Sequence, residues 1–564
     1  MKKVKIILCM LLALVMMLSL LACNKTEQPG NEPQSSTESG SGSSAGSSPA
    51  SNAGSSSGAN SGSSPASGSE TEPQTITRPS SITIGTTDLG RFLDGASPQQ
   101  NVTACDGVYD SLFLIDPKTK QPYSEILEDW YFEDDYTFVM VLKSGITFTN
   151  GDEAKAEDLL FSVTQHFERR SSFIRWIGDL DVDACYTEGE YTAVLKYNEP
   201  FGPGIWCNIL YLFDKSWCAQ VGWDSEDWYS NPNGSGPFKV AEYVNDEYIR
   251  LVLKDNYWNA ANESFAVQEW IIKKYPDQGT MTMALERGDI AFCGLQVTDY
   301  NLMNNMSDSG IGVRVISAGS NQNFHLSGFE NPVFYDINVR AALAYGVDWA
   351  AIGEMYMGEL YRQATSCVIS DSLFYLNVGP YEYDPEKAAQ LLSDGGYKDG
   401  DIHIKYFTLD GPDYKAVAEA FQYYCQMLGI VVDIEFGDPS AAFARWVQDG
   451  NSDVGIMTYG AGSANSDPHH GLAHFYNKGN TWVYCQDDEA RELGLAALRA
   501  VDFETRKQLY YEFQQMVKDR YLIFPIYENM VLIGYRTETF TEQEMNDFVI
   551  HPRYMRLHYL SLAS

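Results

Sequence analysis

Residues 128–163 read EDWYFEDDYTFVMVLKSGITFTNGDEAKAEDLLFSV, and this stretch decides the fold. Its pattern predicts a strand over residues 135–143 and a second, short strand over 146–149. The Asn150-Gly151-Asp152 run that follows is a strong turn signal. Residues 156–163 then place apolar side chains at helical spacing. The stretch therefore combines strands with a helix, joined by tight turns.

The composition indicates a large folded protein with an acidic surface. The chain has 564 residues, of which 44% are hydrophobic and 13% aromatic, enough for more than one structural unit. Acidic residues outnumber basic residues by 76 to 39, so the formal net charge is -37 at pH 7. This charge repels nucleic acid, and it favours cationic or neutral ligands only weakly because salt screens surface charges beyond about 10 Å. We therefore expect no nucleic-acid partner.

The N-terminus has the pattern of an export signal. Three lysines among the first five residues precede an apolar run over 6–21, which is too short and too early for a comfortable membrane span. The Leu-Leu-Ala-Cys run that ends at Cys23 resembles a bacterial lipobox. This resemblance implies that residues 1–22 are a signal peptide and that Cys23 carries lipid such as palmitate. An ordinary signal peptide with an incidental cysteine is the alternative.

The composition of the next segment, residues 23–80, predicts a disordered tether that begins at the lipidated Cys23. It is dominated by Ser, Gly, Ala, Pro and Asn, and it has too little apolar surface to offset the entropy of ordering. A flexible coil of this length typically reaches roughly 40 Å. We expect it to hold a folded domain off the outer face of the bacterial cytoplasmic membrane, at the cell surface or in the periplasm.

Eight cysteines follow Cys23, and none forms a CxxC pair. Export permits disulfides, but eight cysteines allow about 105 pairings and the sequence selects none of them. Several of these cysteines, such as Cys425, lie inside apolar runs, where a buried free thiol is the favoured interpretation.

The second half of the chain alternates helices and strands. Asp384 is a good N-cap with Pro385 at the first helical position, and Gly395-Gly396 predicts the end of that helix. Strands are predicted from about 402 to 406, 430 to 436 and 454 to 458, with helices over 414–428 and 440–448 between them. This alternation at short spacing indicates an α/β sheet lobe. Ligands bind beyond the strand ends of such sheets, where residues 459–476 begin, so we interpret 459–476 as the rim of a ligand cleft.

The stretch 128–163 resembles the signature of the family 5 extracellular solute-binding proteins, the oligopeptide-, dipeptide- and nickel-type receptors of ABC importers. Further runs match the family pattern in the family's order, across about residues 81–564. These runs are Gly234–Val240, Ala284–Ile290, Asn331–Leu343 and Asp384–Tyr397.

The resemblance implies an α/β, two-lobed fold like that of the type II periplasmic binding proteins, hinged around a ligand cleft. Lobe I is expected to comprise residues 81–317, with an inserted subdomain over about 115–230. The chain is expected to return to lobe I over residues 531–564. Lobe II is expected to comprise 318–530. Two crossings between the lobes make a hinge, and closing it buries the ligand.

The loop 459–476 supplies the first candidate site residues. The family's peptide-binding members carry an amine-binding carboxylate four residues before a proline, and counting back from Pro468 gives Ala464 instead. Asp467 is the candidate substitute, and an Asx turn leading into Pro468 is its alternative role. His469, with His470 and His474, suits nickel, copper or zinc. Loop histidines are more often structural, however, and we expect neither a metal site nor a cofactor.

Aromatic and amide side chains supply the remaining candidates. Tyr109, Tyr459 and Tyr527 flank predicted cleft segments, and rings with a polar tip suit peptide backbones or sugar faces. Asn321 and Asn323 alternate on a strand that enters lobe II, where their amides suit a ligand backbone. A core position for the tyrosines and a polar strand edge for the asparagines are the alternatives.

We therefore predict a monomeric, lipid-anchored substrate-binding protein of an ABC importer. It captures a peptide or a similar small solute and delivers it to a membrane permease. A receptor for nickel, haem or oligosaccharide with the same fold, or a cell-surface sensor, is the alternative. No Gly-x-Ser-x-Gly at a strand-to-helix turn, His-Glu-x-x-His or phosphate-loop pattern is present, so an enzyme is not expected.

Overall fold

The computed structural model describes residues 78–89, 102–116, 118–171, 173–204, 210–222, 225–300, 310–326, 331–410, 412–437, 453–460, 467–469, 471–472, 487–551 and 554–563. The signal and lipidation predictions for 1–22 and Cys23, the tether up to residue 77, and Ala464, His470 and His474 lie outside these residues. In the described part of the chain, no helix is long and apolar enough to cross a membrane.

The first half of the chain contains ten strands and six helices among the described residues. In chain order these are β1 (Ser81–Thr86), α1 (Val102–Val108), β2 (Leu114–Ile115), β3 (Pro122–Tyr123), β4 (Leu127–Asp134), β5 (Thr137–Leu142), α2 (Ala156–Glu168), α3 (Ile174–Ile177), β6 (Tyr186–Glu188), β7 (Thr192–Lys196), α4 (Lys215–Val221), α5 (Glu226–Ser230), β8 (Phe238–Val244), β9 (Tyr248–Leu253), β10 (Glu269–Lys274) and α6 (Gln278–Arg287).

The second half continues the alternation of strands and helices. In chain order its described elements are β11 (Phe292–Leu295), β12 (Ile311–Leu326), α7 (Ile337–Gly346), α8 (Trp349–Met357), α9 (Pro385–Asp394), β13 (His403–Leu409), α10 (Pro412–Met427), β14 (Val431–Gly437), β15 (Val454–Gly460), α11 (Asp488–Arg499), α12 (Phe503–Asp519), β16 (Ile523–Arg536), α13 (Glu542–Phe548), β17 (Val549–His551), β18 (Tyr554–Met555) and α14 (Leu557–Leu560).

Three four-stranded sheets organise these elements. The strand order is β1-β10-β9-β8 in the first sheet and β4-β5-β7-β6 in the second, which we call the insert sheet. The third sheet has the order β11-β16-β12-β15, and we call it the crossing sheet. The strands β13 and β14 form a separate parallel pair.

The described residues form four hydrophobic cores. The first sheet buries Ile84 and Trp270, and the C-terminal residues Phe540 and Leu557 pack into the same core. The insert sheet and α2 bury Phe138 and Leu159 in a second core. A third core lies between the crossing sheet and α7, α8 and α10. A fourth core forms around α11 and α12. The C-terminal packing agrees with the expected return of residues 531–564 to lobe I, whose boundaries stay a prediction.

The two long strands of the crossing sheet are interrupted by a large bulge. Ser317 pairs with Met530 and Asn321 pairs with Glu528, so residues 318–320 of β12 stand opposite residue 529 alone. Gly319 has a φ of 68°, in the left-handed region that glycine adopts without a steric cost. The bulge lies where the sequence predicts the chain to pass from lobe I to lobe II.

Most of the predicted elements are confirmed. The helix predicted after Asp384 is α9, and the Asp384 side chain accepts a hydrogen bond from the Lys387 amide at 2.9 Å, as an N-cap does. The strand predicted over 146–149 is wrong, because that run contains only an isolated bridge between Thr147 and Glu153. The chain turns there instead, and the Phe148 amide donates to the Asp152 carbonyl at 2.9 Å. The helix predicted over 440–448 lies outside the described residues.

Candidate ligand-binding site

Asp467, the acidic candidate of the loop 459–476, is 5% exposed. Its Oδ1 accepts hydrogen bonds from the His469 amide at 2.9 Å and from the Tyr510 hydroxyl at 3.1 Å. Its Oδ2 lies 3.2 Å from Nε of Arg506 in an ion pair. The Asx turn into Pro468 is therefore present, and the same carboxylate also neutralises a buried guanidinium.

Arg506 lies on α12 and is only 1% exposed, although it carries a permanent charge. Besides its ion pair with Asp467, it donates hydrogen bonds to the carbonyl oxygens of Gly202 and, at 3.1 Å, of Ala500. Its guanidinium also lies 5.1 Å from the ring centroid of Phe374. A buried charge is tolerated where it is paired and hydrogen-bonded, and these contacts satisfy that requirement. The sequence analysis missed Arg506, because no local pattern connects residues 202, 467 and 506.

His469 contacts the loop that follows β7. Its ring packs edge-on against the ring of Phe201, with the centroids 5.6 Å apart. No group of His, Cys, Asp and Glu side chains within the described ranges is arranged to hold a metal ion. His470 and His474 lie outside those ranges, so the described part of the histidine group shows a packing contact for one ring.

Asn321 and Asn323 lie side by side on β12 and are fully buried. The Asn321 amide donates to the Ser366 carbonyl at 2.8 Å, and the Asn323 amide makes a long contact of 3.5 Å with the Asn321 carbonyl. The Oδ1 atoms of both asparagines accept no hydrogen bond from the described residues. Tyr459 on β15 is the backbone partner of Asn321 across the sheet. The sheet thus brings these three candidates together, and their ligand-binding role stays a prediction.

Tyr109 and Tyr527 occupy two different hydrophobic cores. Tyr109 packs on Tyr211 and Phe213 in the core of the first sheet, with ring centroids 5.6 and 5.2 Å away. Tyr527 lies on β16, beside Tyr356 at 5.7 Å, in the core of the crossing sheet. The structure therefore does not bring the two tyrosines together, and ligand contact by either one stays a prediction.

Glu528 is a buried carboxylate that the sequence analysis missed. It is 8% exposed, it follows Tyr527 on β16, and it is the backbone partner of Asn321 next to the bulge. Its Oε1 accepts a hydrogen bond from the Ser370 amide at 3.1 Å. Among the described residues, no Lys, Arg or His lies within ion-pair distance of it. An acidic residue inside the long apolar run 521–535 is the sequence signal that would have found it.

A second buried group of charges includes Asp106, near the end of α1. Burial raises the pKa of the Asp106 carboxyl to about 7, although Arg556 and His558 favour its charged form. Burial alone would lower the pKa of His558, but its 2.5 Å hydrogen bond with Glu263 and the nearby charge of Glu125 raise that pKa. Arg556 and His558 at the C-terminal helix α14 thus act electrostatically on Asp106 of α1, and the two helices share the first core.

Comparison with known proteins identifies the family. The model of the bacterial extracellular solute-binding proteins, family 5 (middle region), matches residues 121–482, which is more than half of the chain. The chain belongs to this family.

Relatives of this solute-binding protein carry names that refer to different ligands. It is 25% identical over 382 residues to a Brucella ovis protein named as an ABC transporter peptide-binding protein, a match that covers 64% of this chain and 69% of the relative. It is 26% identical over 468 residues to heme-binding protein A of Haemophilus influenzae, with coverages of 74% and 81%.

Solved structures establish the fold of this solute-binding protein. The ABC transporter substrate-binding protein CtaP of Listeria monocytogenes matches with a TM-score of 0.73 at 18% identity, and the match covers 86% of this chain and all of that one. At that identity the likeness shows the fold alone. The predicted two-lobed α/β fold of the type II periplasmic binding proteins is thereby confirmed.

Proposed function

We propose that this protein is the substrate-binding component of an ABC importer and that its substrate is a peptide. Family membership over residues 121–482 carries the proposal. The Brucella relative named for peptide binding supports the substrate class. The ligand is captured between the lobes, and the closed protein delivers it to a membrane permease. Residues 1–22 direct export, and lipid on Cys23 anchors the monomeric receptor to the outer face of the cytoplasmic membrane.

Glu528 supplies the counter-charge for the peptide's free amine. A buried carboxylate without a cationic partner is costly, and a bound ammonium group removes that cost. Glu528 has no such partner among the described residues, and it lies beside the bulge where the chain passes between the lobes. Asn321 is the backbone partner of Glu528 on one side and of Tyr459 on the other, and both Asn321 and Tyr459 are already ligand candidates. Glu528 therefore takes the role that Ala464 cannot fill.

Native mass spectrometry of the purified protein, followed by calorimetric titration, tests the proposal. We expect a co-purifying peptide and an affinity near 1 μM, about -8 kcal/mol. Haem and nickel–histidine complexes are titrated in parallel, since one relative is named for haem binding. Saturable binding of haem or nickel alone would contradict the peptide assignment, and no saturable ligand at all would contradict the transport function.

A second titration isolates the role of Glu528. The parent, Glu528→Gln and the matched control Glu504→Gln, whose side chain is exposed on α12, are each titrated with a free-amine peptide and its N-acetylated form. We expect the parent and the control to prefer the free amine at least tenfold, and Glu528→Gln to lose that preference. An unchanged preference in Glu528→Gln would remove this residue from the site.

A further inference from the structure

The loop that follows β7 extends from the insert onto the helix pair α11–α12. The Gly202 amide donates to the Leu498 carbonyl at 2.8 Å, and Arg506 donates to the Gly202 carbonyl. Phe201 in the same loop packs on His469. Leu498 is partly buried in both the insert core and the core around α11 and α12. We call residues 199–204 the latch loop.

Close backbone contact makes glycine necessary at position 202. A Cβ atom built on Gly202 would lie 2.1 Å from the Ala500 oxygen and 2.9 Å from Nη1 of Arg506. Backbone oxygen at such a distance cannot move aside as a flexible side chain does. Any larger residue at this position therefore pushes the latch loop away from the helix pair.

Arg506 joins this contact to the predicted ligand loop. Its guanidinium donates a hydrogen bond to the Gly202 carbonyl of the insert. The same guanidinium forms an ion pair with the Asp467 carboxylate of the loop 459–476. Both groups are buried, so Asp467 and the latch loop are held by the same cation. Withdrawal of the latch loop removes one acceptor from Arg506 and lets water reach the pair.

We propose that Arg506 is a positioning residue that couples closure of the lobes to the placement of Asp467. Docking of Gly202 against Ala500 and Arg506 latches the insert of lobe I onto lobe II, and it fixes Asp467 in the same step. This inference rests on the proposed capture of a ligand between the lobes. The latch lies outside the crossing strands, so it controls how long the lobes stay closed.

Two exposed ion pairs lie along the same boundary. Glu199 and Arg499 approach to 3.3 Å, and so do Lys120 and Asp371. Such exposed pairs contribute little because solvent screens them. We therefore expect the fraction of molecules with closed lobes to depend on the buried contact between Gly202 and Arg506.

Distance measurements between spin labels test the latch with and without ligand. Labels are attached at Tyr136→Cys in the insert and Glu504→Cys on α12, which are both exposed positions. We expect a short-distance component in the parent, a reduction of that component of at least threefold in Gly202→Ala, and a peptide dissociation rate at least tenfold faster. The matched control Gly279→Ala, whose added Cβ meets only the Asp277 side chain at 3.4 Å, should match the parent.

Arg506→Lys gives an independent check, because lysine keeps the charge beside Asp467 but cannot reach both acceptors with a planar fork. Its short-distance component should fall between those of the parent and Gly202→Ala, with a thermal transition that confirms folding. A parent without the short component, or a Gly202→Ala variant that closes as the parent does, would overturn the latch. If no ligand binds, the proposed function fails, but the ligand-free distances still decide whether the latch exists.

Discussion

With the predicted lobe boundaries, two kinds of contact join the lobes of this solute-binding protein. In the crossing sheet, β12 and β16 pair through backbone hydrogen bonds from Ile311 and Arg536 at one end to His325 and Ile523 at the other. At the latch, the contact depends on one guanidinium, one glycine and a few carbonyl groups. The first contact is continuous with the chain, whereas the second can separate without breaking any strand.

Because of this difference, we expect the crossing sheet to determine folding stability and the latch to determine how readily the lobes open. Backbone pairing does not depend on particular side chains, so the connection through the crossing sheet should persist when an exposed residue of these strands is substituted. The latch has no such redundancy, because Arg506 satisfies acceptors from three segments at once. Substitutions at the latch should therefore change the closed population and the buried charge, and substitutions at the bulge should change stability with little effect on closure.

The largest effect is expected from Asp467→Ala, which leaves the guanidinium of Arg506 buried without its counter-charge. Breaking one partner of a buried ion pair typically costs about 3 to 5 kcal/mol, so we expect the free energy of unfolding to fall by about that amount. Urea denaturation measures it. The double variant Asp467→Ala/Arg506→Leu should recover part of the loss, because it removes the unpaired charge. A loss below about 1 kcal/mol would mean that water already solvates the pair.

A pH effect of intermediate size is expected in the insert, which carries the latch loop. His166 on α2 is fully buried, and burial together with the charge of Arg169 lowers its pKa to about 3. Because this value lies below the ordinary pKa of about 6.5, only the unfolded chain binds the proton between these pH values. The contribution of neutral His166 to the free energy of unfolding is fully present above pH 6.5, and it is lost progressively as the pH falls towards 3.

The measurement compares urea unfolding of the parent and His166→Phe at pH 7 and pH 5. We expect the parent to lose about 2 kcal/mol more than the variant over this interval, from a single proton taken up on unfolding. Equal losses in the two proteins would show that the His166 ring is hydrated when folded. Phe is the chosen replacement because the ring of Phe173 already packs edge-on against His166, at 5.5 Å.

The sequence was most informative where structure depends on neighbouring residues. The local residue pattern predicted β5, and Asp384 predicted the start of α9, because a short strand and an N-cap are each decided within a few residues. The turn at Asn150 was also recognised, but the strand before it was not confirmed, since the turn begins already at Phe148. Cys425 was expected to be a buried free thiol, and it is one.

The site was less predictable, because its contacts join distant parts of the chain. Gly202 and Arg506 are 304 residues apart, and no local spacing marks them as partners. Asp467 was proposed to face the ligand, which stays a prediction, and its Asx turn, the alternative role, gave no sign of a buried arginine. Glu528 was overlooked inside an apolar strand, where a lone acid is easily taken for surface. Local residue patterns therefore could not predict which charged residues pair across long distances in the sequence.

A smaller effect is expected at the bulge of the crossing sheet. Gly319 has a positive φ, and an alanine in the left-handed region costs roughly 1 kcal/mol. Gly319→Ala should lower the free energy of unfolding by about that amount in urea, while the spin-label distances stay those of the parent. A shift of those distances towards the open form would show that the bulge, as well as the latch, controls closure.

The smallest effect is expected from Glu199→Gln, which removes an ion pair of the latch loop but leaves Gly202 in place. Both side chains of the pair are well exposed, and exposed pairs typically contribute about 0.2 to 1 kcal/mol. We expect a change in unfolding free energy of at most about 0.5 kcal/mol, and a peptide dissociation rate within twofold of the parent. Raising the salt concentration should abolish even this difference, since salt screens exposed charges. If Glu199→Gln instead opened the lobes as strongly as Gly202→Ala, closure would depend on surface charge and the buried arginine would not be the latch.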